Sequence, residues 1–354
     1  MNKRLLKIAI GNKSVGEGHS TFIIAEAGVN HNGSLDLALK LVDKAKEVGA
    51  DAIKFQTFKA NQVVTKNVRM ADYQKGNVGK KESQIEMLKK LEFKEDWYPK
   101  IIKRCKEKNI IFLSTPHGGF ESVDLLQKIG VPAFKFGSGD LTNLPLLKYA
   151  AKFKKPMILG TGMATIDEIR KAINIIKSVG NNKIIVLHCT TNYPCAAEKV
   201  NLRAMQTMMK DLDVMIGYSD HTIGTQVPVM AVALGAQIIE KHFTLDNKMK
   251  GPDHKASANP EVFKKMVDEI RQAEIILGSK EKKPTKGEIK NINIVRKSLV
   301  AIRGIKKGEK FTKENINIKR PGTGLPPKYY FKILGKISKM AIKADNLIKK
   351  NDFI

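Results

Sequence analysis

The fold is decided by a strand–helix–strand stretch at residues 22–56, FIIAEAGVNHNGSLDLALKLVDKAKEVGADAIKFQ. It begins and ends with short apolar runs, which are typical of buried parallel strands. The segment between them has apolar residues at helical spacing, with Ser34 as a predicted N-cap and Gly49 as a stop. The stretch therefore predicts two strands of a parallel sheet joined by a helix.

The same alternation continues along the chain. Six further apolar runs end in small or polar residues: IIFLSTP (110–116), PAFKFGSG (132–139), PMILGTG (156–162), KIIVLHC (183–189), DVMIGYSD (213–220) and AQIIEKHF (236–243). Helical stretches lie between them, including 223–235 and 165–180, where Thr165 and Glu168 form a predicted capping box. Eight strand–helix units predict an α/β fold, a (β/α)8 TIM barrel over residues 1–280. A doubly wound open sheet is the alternative, but eight units favour closure.

Two segments interrupt this alternation. Residues 57–90 are long and polar, which predicts a functional loop or an inserted lid. The charged stretch GSKEKKPTKGEIKN (278–291) contains Pro and Gly and predicts a linker, which we place at 281–295. Residues 296–354 have short β-like runs and turn residues. They predict a small β-rich or α+β domain whose core is marginal alone.

The chain carries 63 Lys and Arg against 35 Asp and Glu, a net charge of +28. Such a charge attracts nucleic acids and anionic membranes, so a basic nucleic-acid-binding protein is the hypothesis from another class. Aromatic residues make up only 6%, however, which leaves few stacking platforms for single strands. We expect the positive field to attract an anionic small-molecule substrate, and neither nucleic acid nor membrane as a partner.

The three cysteines, at 105, 189 and 195, form no CxxC pair and favour a reducing cytosol. No apolar run reaches the roughly 18 residues that span a bilayer. The N-terminal apolar stretch is short and broken, so we expect no signal peptide. A cytoplasmic location follows as an expectation.

In a parallel barrel the active site forms at the C-terminal ends of the strands. The polar residues at those positions are Glu26, Asn30, His31, Lys54, Gln56, Ser114, Thr115, Lys135, Ser138, Thr161, His188, Thr190, Thr191, Ser219, Asp220, His221, Glu240, His242 and Asp253. A lysine inside a barrel is costly unless it meets an anion, so Lys54 and Lys135 are predicted anion-binding residues. His221 and His242 end neighbouring strands about 5 Å apart, close enough for both imidazoles to reach one cation.

The chain resembles the N-acetylneuraminate (sialic acid) synthase family, which includes legionaminic and pseudaminic acid synthases, from about residue 20 to 354. The motifs that carry the resemblance occur in order: AEAGVNHNG (25–33), KFQT (54–57), STP (114–116), KFGSGDLTNLPLL (135–147), GTGMAT (160–165), LHCTTNYP (187–194), GYSDHT (217–222) and KHFTLDNKMKGPDHKAS (241–257). The tail with IKRPGTG (318–324) resembles that family's antifreeze-like SAF domain. The resemblance implies metal-dependent condensation of phosphoenolpyruvate (PEP) with an N-acetylmannosamine-type sugar and water. The products are N-acetylneuraminate, or a related nonulosonic acid, and phosphate.

The resemblance also implies roles for individual residues. The implied catalytic residues are Glu26, Lys54, Asp140, His221 and His242. The implied PEP-binding residues are Lys54, Thr115, Lys135, Ser138, Thr161, Thr191 and Ser219. The implied sugar-binding residues are Glu26, Gln56, Asn77, Tyr193, Asp253 and Arg320. His221 and His242 are implied to bind Mn²⁺, with Mg²⁺ or Co²⁺ as alternatives. Two positions depart from the family pattern: Asp140 stands where members often carry Glu, and Gly160 where others carry Ser.

The resemblance further implies a domain-swapped homodimer, in which Arg320 reaches the partner's site and binds the N-acetyl end of the sugar. One alternative is a PEP condensation on a phosphorylated pentose, as in the keto-deoxy-octulosonate phosphate synthases. Those barrels usually lack the SAF domain. A closer alternative is a legionaminic or pseudaminic acid synthase that uses a diacetamido-trideoxy sugar, and the motifs do not decide between these. The nucleic-acid hypothesis gives no reason for Glu26, His221, His242 and Asp253 to converge at strand ends.

Overall fold

The computed structural model of the chain describes residues 7–65 and 83–354, and the chain divides into two units, Met1–Gly278 and Ser279–Ile354. The first unit begins with a hairpin of β1 (Lys7–Ile10) and β2 (Lys13–Gly16). Eight strands then form one sheet: β3 (Phe22–Gly28), β4 (Ala52–Thr57), β5 (Ile111–Pro116), β6 (Phe134–Phe136), β7 (Met157–Gly160), β8 (Ile184–His188), β9 (Met215–Asp220) and β10 (Ile238–His242).

The sheet order is β5-β4-β3-β10-β9-β8-β7-β6, and the ladders between these neighbours are parallel. The two end strands, β5 and β6, also lie in contact with each other. The sheet therefore curls into a nearly closed barrel, and the predicted (β/α)8 architecture is confirmed.

The helices of the first unit are α1 (Leu35–Glu47), α2 (Ala60–Val63), α3 (Gln84–Lys90), α4 (Trp97–Glu107), α5 (Gly119–Lys128), α6 (Leu144–Ala151), α7 (Ile166–Lys177), α8 (Arg203–Asp211), α9 (Gln226–Ala233) and α10 (Pro260–Leu277). Ser34 caps α1 as predicted, because its side chain accepts from Leu37 N. The capping box of Thr165 and Glu168 is also present at the start of α7. The strand expected over 132–139 is shorter, because Ser138–Asp140 turns into a 3₁₀ helix.

Alternate residues of the barrel strands belong to two different cores. One set packs against the helices, as Ile23, Ile53 and Phe134 do. The other set points into the barrel and forms a separate cluster with the hairpin, which contributes Ile8, Ile10 and Val15. Its barrel members are Phe22, Ile24, Ala52, Leu113, Ala133, Ile158, Ile185, Leu187, Met215 and Ile238. The hairpin thus closes the N-terminal end of the barrel with an apolar floor.

The second unit contains α11 (Lys286–Val295), the antiparallel strands β11 (Ser298–Ala301) and β12 (Ile316–Lys319), and α12 (Tyr330–Ile333). It has its own apolar core, which includes Leu299, Phe311 and Ile348. The predicted linker 281–295 differs from expectation, since α11 occupies most of it. A capping box of Thr285 and Glu288 starts this helix despite the Pro and Gly around it. In the part of the chain that the structure describes, we find no helix with the length and apolarity that membrane crossing requires.

Candidate active site

An open cavity of about 620 Å³ lies at the C-terminal ends of the barrel strands. Its walls continue the inward-pointing rows of the strands, since every second residue of a strand faces the same side. On β10, Glu240 and His242 follow Ile238 of the apolar floor, and on β3 Glu26 follows Ile24. Each row thus changes from apolar to polar towards the end of its strand. The result is a polar site above a closed apolar floor, at the position that the sequence predicts.

Two carboxylates and two ammonium groups form the bottom of this cavity. Lys54 Nζ lies 2.5 Å from Glu26 Oε2 and 3.8 Å from Glu240 Oε2. Lys135 Nζ lies 3.3 Å from Glu240 Oε1. All four side chains are buried. Buried charges persist only when they are paired, so this layer is balanced in charge by its own residues.

The pKa values in this layer follow from burial and from the neighbouring charges. Burial raises the pKa of Glu26, although the Lys54 ammonium partly offsets this. Burial acts on Glu240 in the same direction, but Lys135, Lys54 and a hydrogen bond from Ser219 outweigh it and bring its pKa to about 2. The two carboxylates raise the pKa of Lys54 against the effect of burial. Lys54 therefore carries a positive charge at the bottom of the cavity, paired with these carboxylates.

Hydroxyl groups and glycines form one wall beside this layer. Gly162 N donates to Ser138 Oγ (2.9 Å) and to Cys189 Sγ (3.1 Å). The buried Thr191 Oγ1 has no hydrogen-bond partner among the described residues. A side chain added at Gly162 would overlap Thr191 Oγ1 and approach Ser138 Oγ, so this wall requires glycine. The arrangement offers the unsatisfied Thr191 hydroxyl, with the Ser138 hydroxyl beside it, to the oxygen atoms of a ligand.

Three polar side chains surround Gly28 on another wall. A Cβ atom at Gly28 would lie 3.2 Å from Glu26 Oε1, 3.3 Å from Gln56 Nε2 and 3.8 Å from Asp253 Oδ2. Gln56 Nε2 also donates to Glu26 Oε1 at 3.3 Å. Burial, together with the charge of Glu26, raises the pKa of Asp253 to about 7. Carboxyl and amide groups in this arrangement can bind the hydroxyl groups of a sugar.

His221 and His242 lie side by side in the cavity, with 5.6 Å between their ring centroids. Tyr193 packs against both rings. His221 Nδ1 lies 2.7 Å from Thr190 O, and a carbonyl can only accept, so Nδ1 carries the proton. Burial lowers the pKa of both imidazoles, which keeps them neutral as metal ligands must be. The residues therefore fit a divalent cation, although no third His, Cys, Asp or Glu joins them in the described ranges 7–65 and 83–354.

The structure brings most of the predicted site residues together. The cavity is lined by Glu26, Lys54, Gln56, Thr115, Lys135, Ser138, Thr191, Tyr193, Ser219, His221 and His242, with Gly160 beside them. Four of the predicted residues that the structure describes are not among those that line the cavity, and one of them, Asp253, lies beside Gly28 and Glu26. Thr161 donates its hydroxyl to Leu187 O at 2.8 Å. Asp140 contacts His117, a lining residue, with 3.5 Å between Asp140 Oδ2 and His117 Nδ1. Arg320 belongs to the second unit, and Asn77 lies outside the described residues.

Three lining side chains had no predicted role: His117, Cys189 and Glu240. Glu240 is the most consequential, because it binds both lysines and accepts from Ser219 Oγ at 3.0 Å. The position of Glu240 in the cavity could have been predicted from the sequence. Glu240 is two residues from Ile238 and two from His242, so the period of a strand places all three on one face.

The fold and the cavity define a TIM-barrel enzyme with a site for an anionic small molecule, and comparison with known proteins agrees. Residues 41–282 match the NeuB family, and residues 296–354 match the SAF domain. The chain belongs to the NeuB family, as its resemblance to the sialic acid synthases predicts.

Individual relatives cover nearly the whole chain. The N,N'-diacetyllegionaminic acid synthase of Campylobacter jejuni is 49% identical over 93% of this chain and 99% of its own. The human N-acetylneuraminate-9-phosphate synthase is 37% identical over 94% of this chain and 93% of its own. The crystal structure of N-acetylneuraminic acid synthetase from Leptospira borgpetersenii, in complex with citrate, has a TM-score of 0.74 and 36% identity. It covers 82% of this chain and 97% of its own.

Proposed function

We propose that this enzyme condenses PEP with the aldehyde form of an acetamido sugar to make a nonulosonic acid. The observation that carries the proposal is the pair of buried lysines, Lys54 and Lys135, beneath a wall of hydroxyls and two neutral histidines. PEP is a small, highly charged anion that needs buried cations of this kind. The membership of the chain in the NeuB family supports the same chemistry.

Lys54 and Lys135 would bind the carboxylate and phosphate of PEP. The ammonium groups would turn from Glu26 and Glu240 towards the incoming anion. Ser138 and Thr191 would donate their hydroxyls to the phosphate oxygens, and the Thr191 hydroxyl would break no hydrogen bond to the part of the chain that the structure describes. These charge-assisted hydrogen bonds are stronger than neutral ones and would fix the methylene carbon of PEP towards the sugar.

The acetamido sugar would lie over Gly28, with its hydroxyl groups bound by Glu26, Gln56 and Asp253. His221 and His242 would hold a divalent cation, for which we propose Mn²⁺. When bound, such a cation supplies the positive charge that polarises the aldehyde carbonyl. Tyr193, which packs against both imidazole rings at an angle, would hold them in place and shield them from solvent.

The reaction forms one bond between the methylene carbon of PEP and the aldehyde carbon, while the C=O π bond breaks and the aldehyde oxygen takes up a proton to become a hydroxyl group. The proton that water loses in the next step balances this uptake. Water then adds to the carbon that carries the phosphate, and the C–O bond to phosphate breaks. The products are a 2-keto acid and inorganic phosphate. His117 lines the cavity and faces Asp140. We propose that this pair takes up the proton that the water loses. His117 would accept it, and Asp140, whose side chain is shorter than that of Glu, would act through the His117 imidazole.

Two acceptor sugars fit this chemistry, and sequence identity favours one. Identity is 49% to a synthase named for N,N'-diacetyllegionaminic acid and 37% to one named for N-acetylneuraminate 9-phosphate. We therefore propose a diacetamido-trideoxy sugar as the preferred acceptor. N-acetylmannosamine, the acceptor that the sequence analysis places first, is the second candidate, because a solved relative at 36% identity is an N-acetylneuraminic acid synthetase.

We further propose that the enzyme works as a domain-swapped homodimer in which Arg320 completes the partner's site. Two large apolar side chains that follow barrel strands, Met163 and Ile223, are each 75% exposed in the single chain. Both follow strands at the end of the barrel that carries the cavity. A second copy that covers this end would bury them and bring an arginine to the sugar.

Phosphate release from PEP tests the proposal. Metal-stripped protein would receive each sugar in turn, with and without Mn²⁺. We expect release only when sugar and metal are both present, and faster release with the diacetamido sugar. Lys135→Met is the matched control, because it removes one PEP ligand and leaves the histidines intact. Phosphate release by wild type that needs no sugar, or none with either sugar, would overturn the condensation.

A further inference from the structure

A buried ion pair lies on the outer side of the two strands that carry the histidines. Asp220 of β9 and Lys241 of β10 are register partners, and their charged groups are in contact. Both residues are almost fully buried, at 1% and 2% exposure. Neither lines the cavity, because Ser219, Glu240 and His242 occupy the inward face of the same strands. The pair is therefore a charged cluster that the proposed reaction does not use.

This cluster is saturated with hydrogen bonds to the chain around His221. Lys241 Nζ donates to Thr222 O at 2.6 Å. Asp220 Oδ1 accepts from Thr222 N at 3.1 Å and from Thr222 Oγ1 at 2.9 Å. Tyr218 OH also donates to Asp220 Oδ1 at 3.3 Å. The residues before and after His221 are thus both fixed by the same buried pair.

The main chain and ring of His221 are held from the other side. Its carbonyl accepts from Cys195 N at 2.8 Å, and its Nδ1–H donates to Thr190 O at 2.7 Å. The ring then has one nitrogen left with a free lone pair, Nε2. A histidine so restrained presents that nitrogen to a cation without the loss of side-chain freedom that a mobile ring would incur.

We propose that Asp220 and Lys241 form a positioning pair, which holds His221 in the orientation that binds a divalent cation. The pair lies outside the cavity and acts on the position of His221 through the chain of residues 220–222. This inference rests on the metal binding proposed above. It adds two residues that touch neither the substrates nor the metal, but on which the affinity for the metal depends.

The affinity for Mn²⁺ itself, measured by electron paramagnetic resonance of the free ion, tests this role without turnover. We expect Lys241→Met to weaken Mn²⁺ binding by about tenfold or more, as loss of a supporting partner does at other metal sites. The double variant Asp220→Asn/Lys241→Met leaves no unpaired buried charge. If circular dichroism shows that Lys241→Met does not fold, the affinity of the double variant for Mn²⁺ tests the positioning role instead.

Asp51→Asn is the control. Asp51 is also buried, accepts from Ile23 N at 2.8 Å and pairs with Arg271 at 3.4 Å, but it precedes β4 at the opposite end of the barrel. We expect this variant to lose stability and keep its affinity for Mn²⁺. Wild-type affinity in folded Lys241→Met or the double variant would overturn the positioning role alone. No Mn²⁺ binding by the wild type would overturn the metal proposal, and this inference with it.

Discussion

Glu240 and Lys135 form an ion pair across the interior of the barrel, with 3.3 Å between Oε1 and Nζ. Their strands, β10 and β6, are not neighbours in the sheet. The contact exists only because the sheet curls and brings opposite strands together. It therefore links the assembly of the barrel to the placement of the groups that would bind PEP.

Glu240→Gln should destabilise the protein in a way that depends on pH. The pKa of Glu240 is about 2 in the folded protein against 4.5 ordinarily, so its contribution is present above pH 4.5 and lost as pH falls towards 2. We expect the variant to lose about 3 kcal/mol of unfolding free energy at pH 7. The difference should shrink below pH 4.5 in urea titrations. The control is Glu198→Gln, an exposed carboxylate, and a deficit that stays constant with pH would contradict the assignment.

Asp253→Asn should stabilise the folded protein at high pH, whereas Glu240→Gln should destabilise it. The pKa of Asp253 is about 7 in the folded protein against 3.8 ordinarily, because burial and Glu26 disfavour its charge. The folded state keeps a proton that the unfolded chain loses, so wild-type stability falls as pH rises from 3.8 through 7. We expect the variant to be more stable than wild type at pH 8 and to lose this advantage near pH 4. Thermal melts across this range measure it, and a less stable variant at pH 8 would refute the reasoning.

Gly162→Ala should impair PEP turnover. The new methyl group would overlap Thr191 Oγ1 and approach Ser138 Oγ to 2.9 Å, so the hydroxyls proposed to bind phosphate must move. We expect kcat/KM for PEP to fall at least about tenfold, the equivalent of one lost hydrogen bond to a charged group. Gly304→Ala is the matched control, because its Cβ would meet no atom within 4 Å. Near-normal kinetics in Gly162→Ala would show that this wall does not bind PEP.

His221→Ala and Arg320→Ala should each be nearly inactive but complement one another. If Arg320 acts in the partner's site, a mixed dimer holds one site with both defects and one site with neither. Co-expression with random pairing should restore about a quarter of the wild-type activity, since half of the dimers are mixed and each has one intact site. Two differently tagged chains allow the mixed dimer to be purified. Absence of any recovery in that purified dimer would rule out the domain swap.

The barrel and the position of the site could both be predicted from the sequence, because they depend on local patterns. Apolar runs mark the strands, and a polar residue at the end of each run marks the cavity. The hairpin β1–β2 escaped prediction, because its strands are four residues long with only two buried residues each. Helix α11 escaped because its Lys- and Gly-containing sequence is typical of a linker. The capping box that starts it was the available signal.

Pairings within the site could not be predicted from local patterns. Glu240 meets Lys54 and Lys135 only once the barrel has closed, because the three residues come from different strands. The pair of Asp220 and Lys241 depends on the register between β9 and β10, which no single segment specifies. Residue types and strand positions thus identify the cavity, whereas the distances inside it depend on contacts between distant parts of the chain.

The hairpin beneath the barrel has a kinetic consequence. Since the apolar floor that it helps to build blocks the far end of the barrel, reactants and products would enter and leave at the C-terminal ends of the strands. Under the proposed function, PEP bound to Lys54 and Lys135 would occupy the buried charged layer of the cavity, and a sugar bound over Gly28 would lie against it. If the proposed function holds, we expect ordered binding, in which PEP enters first, the sugar follows, and the product that occupies the charged layer leaves last.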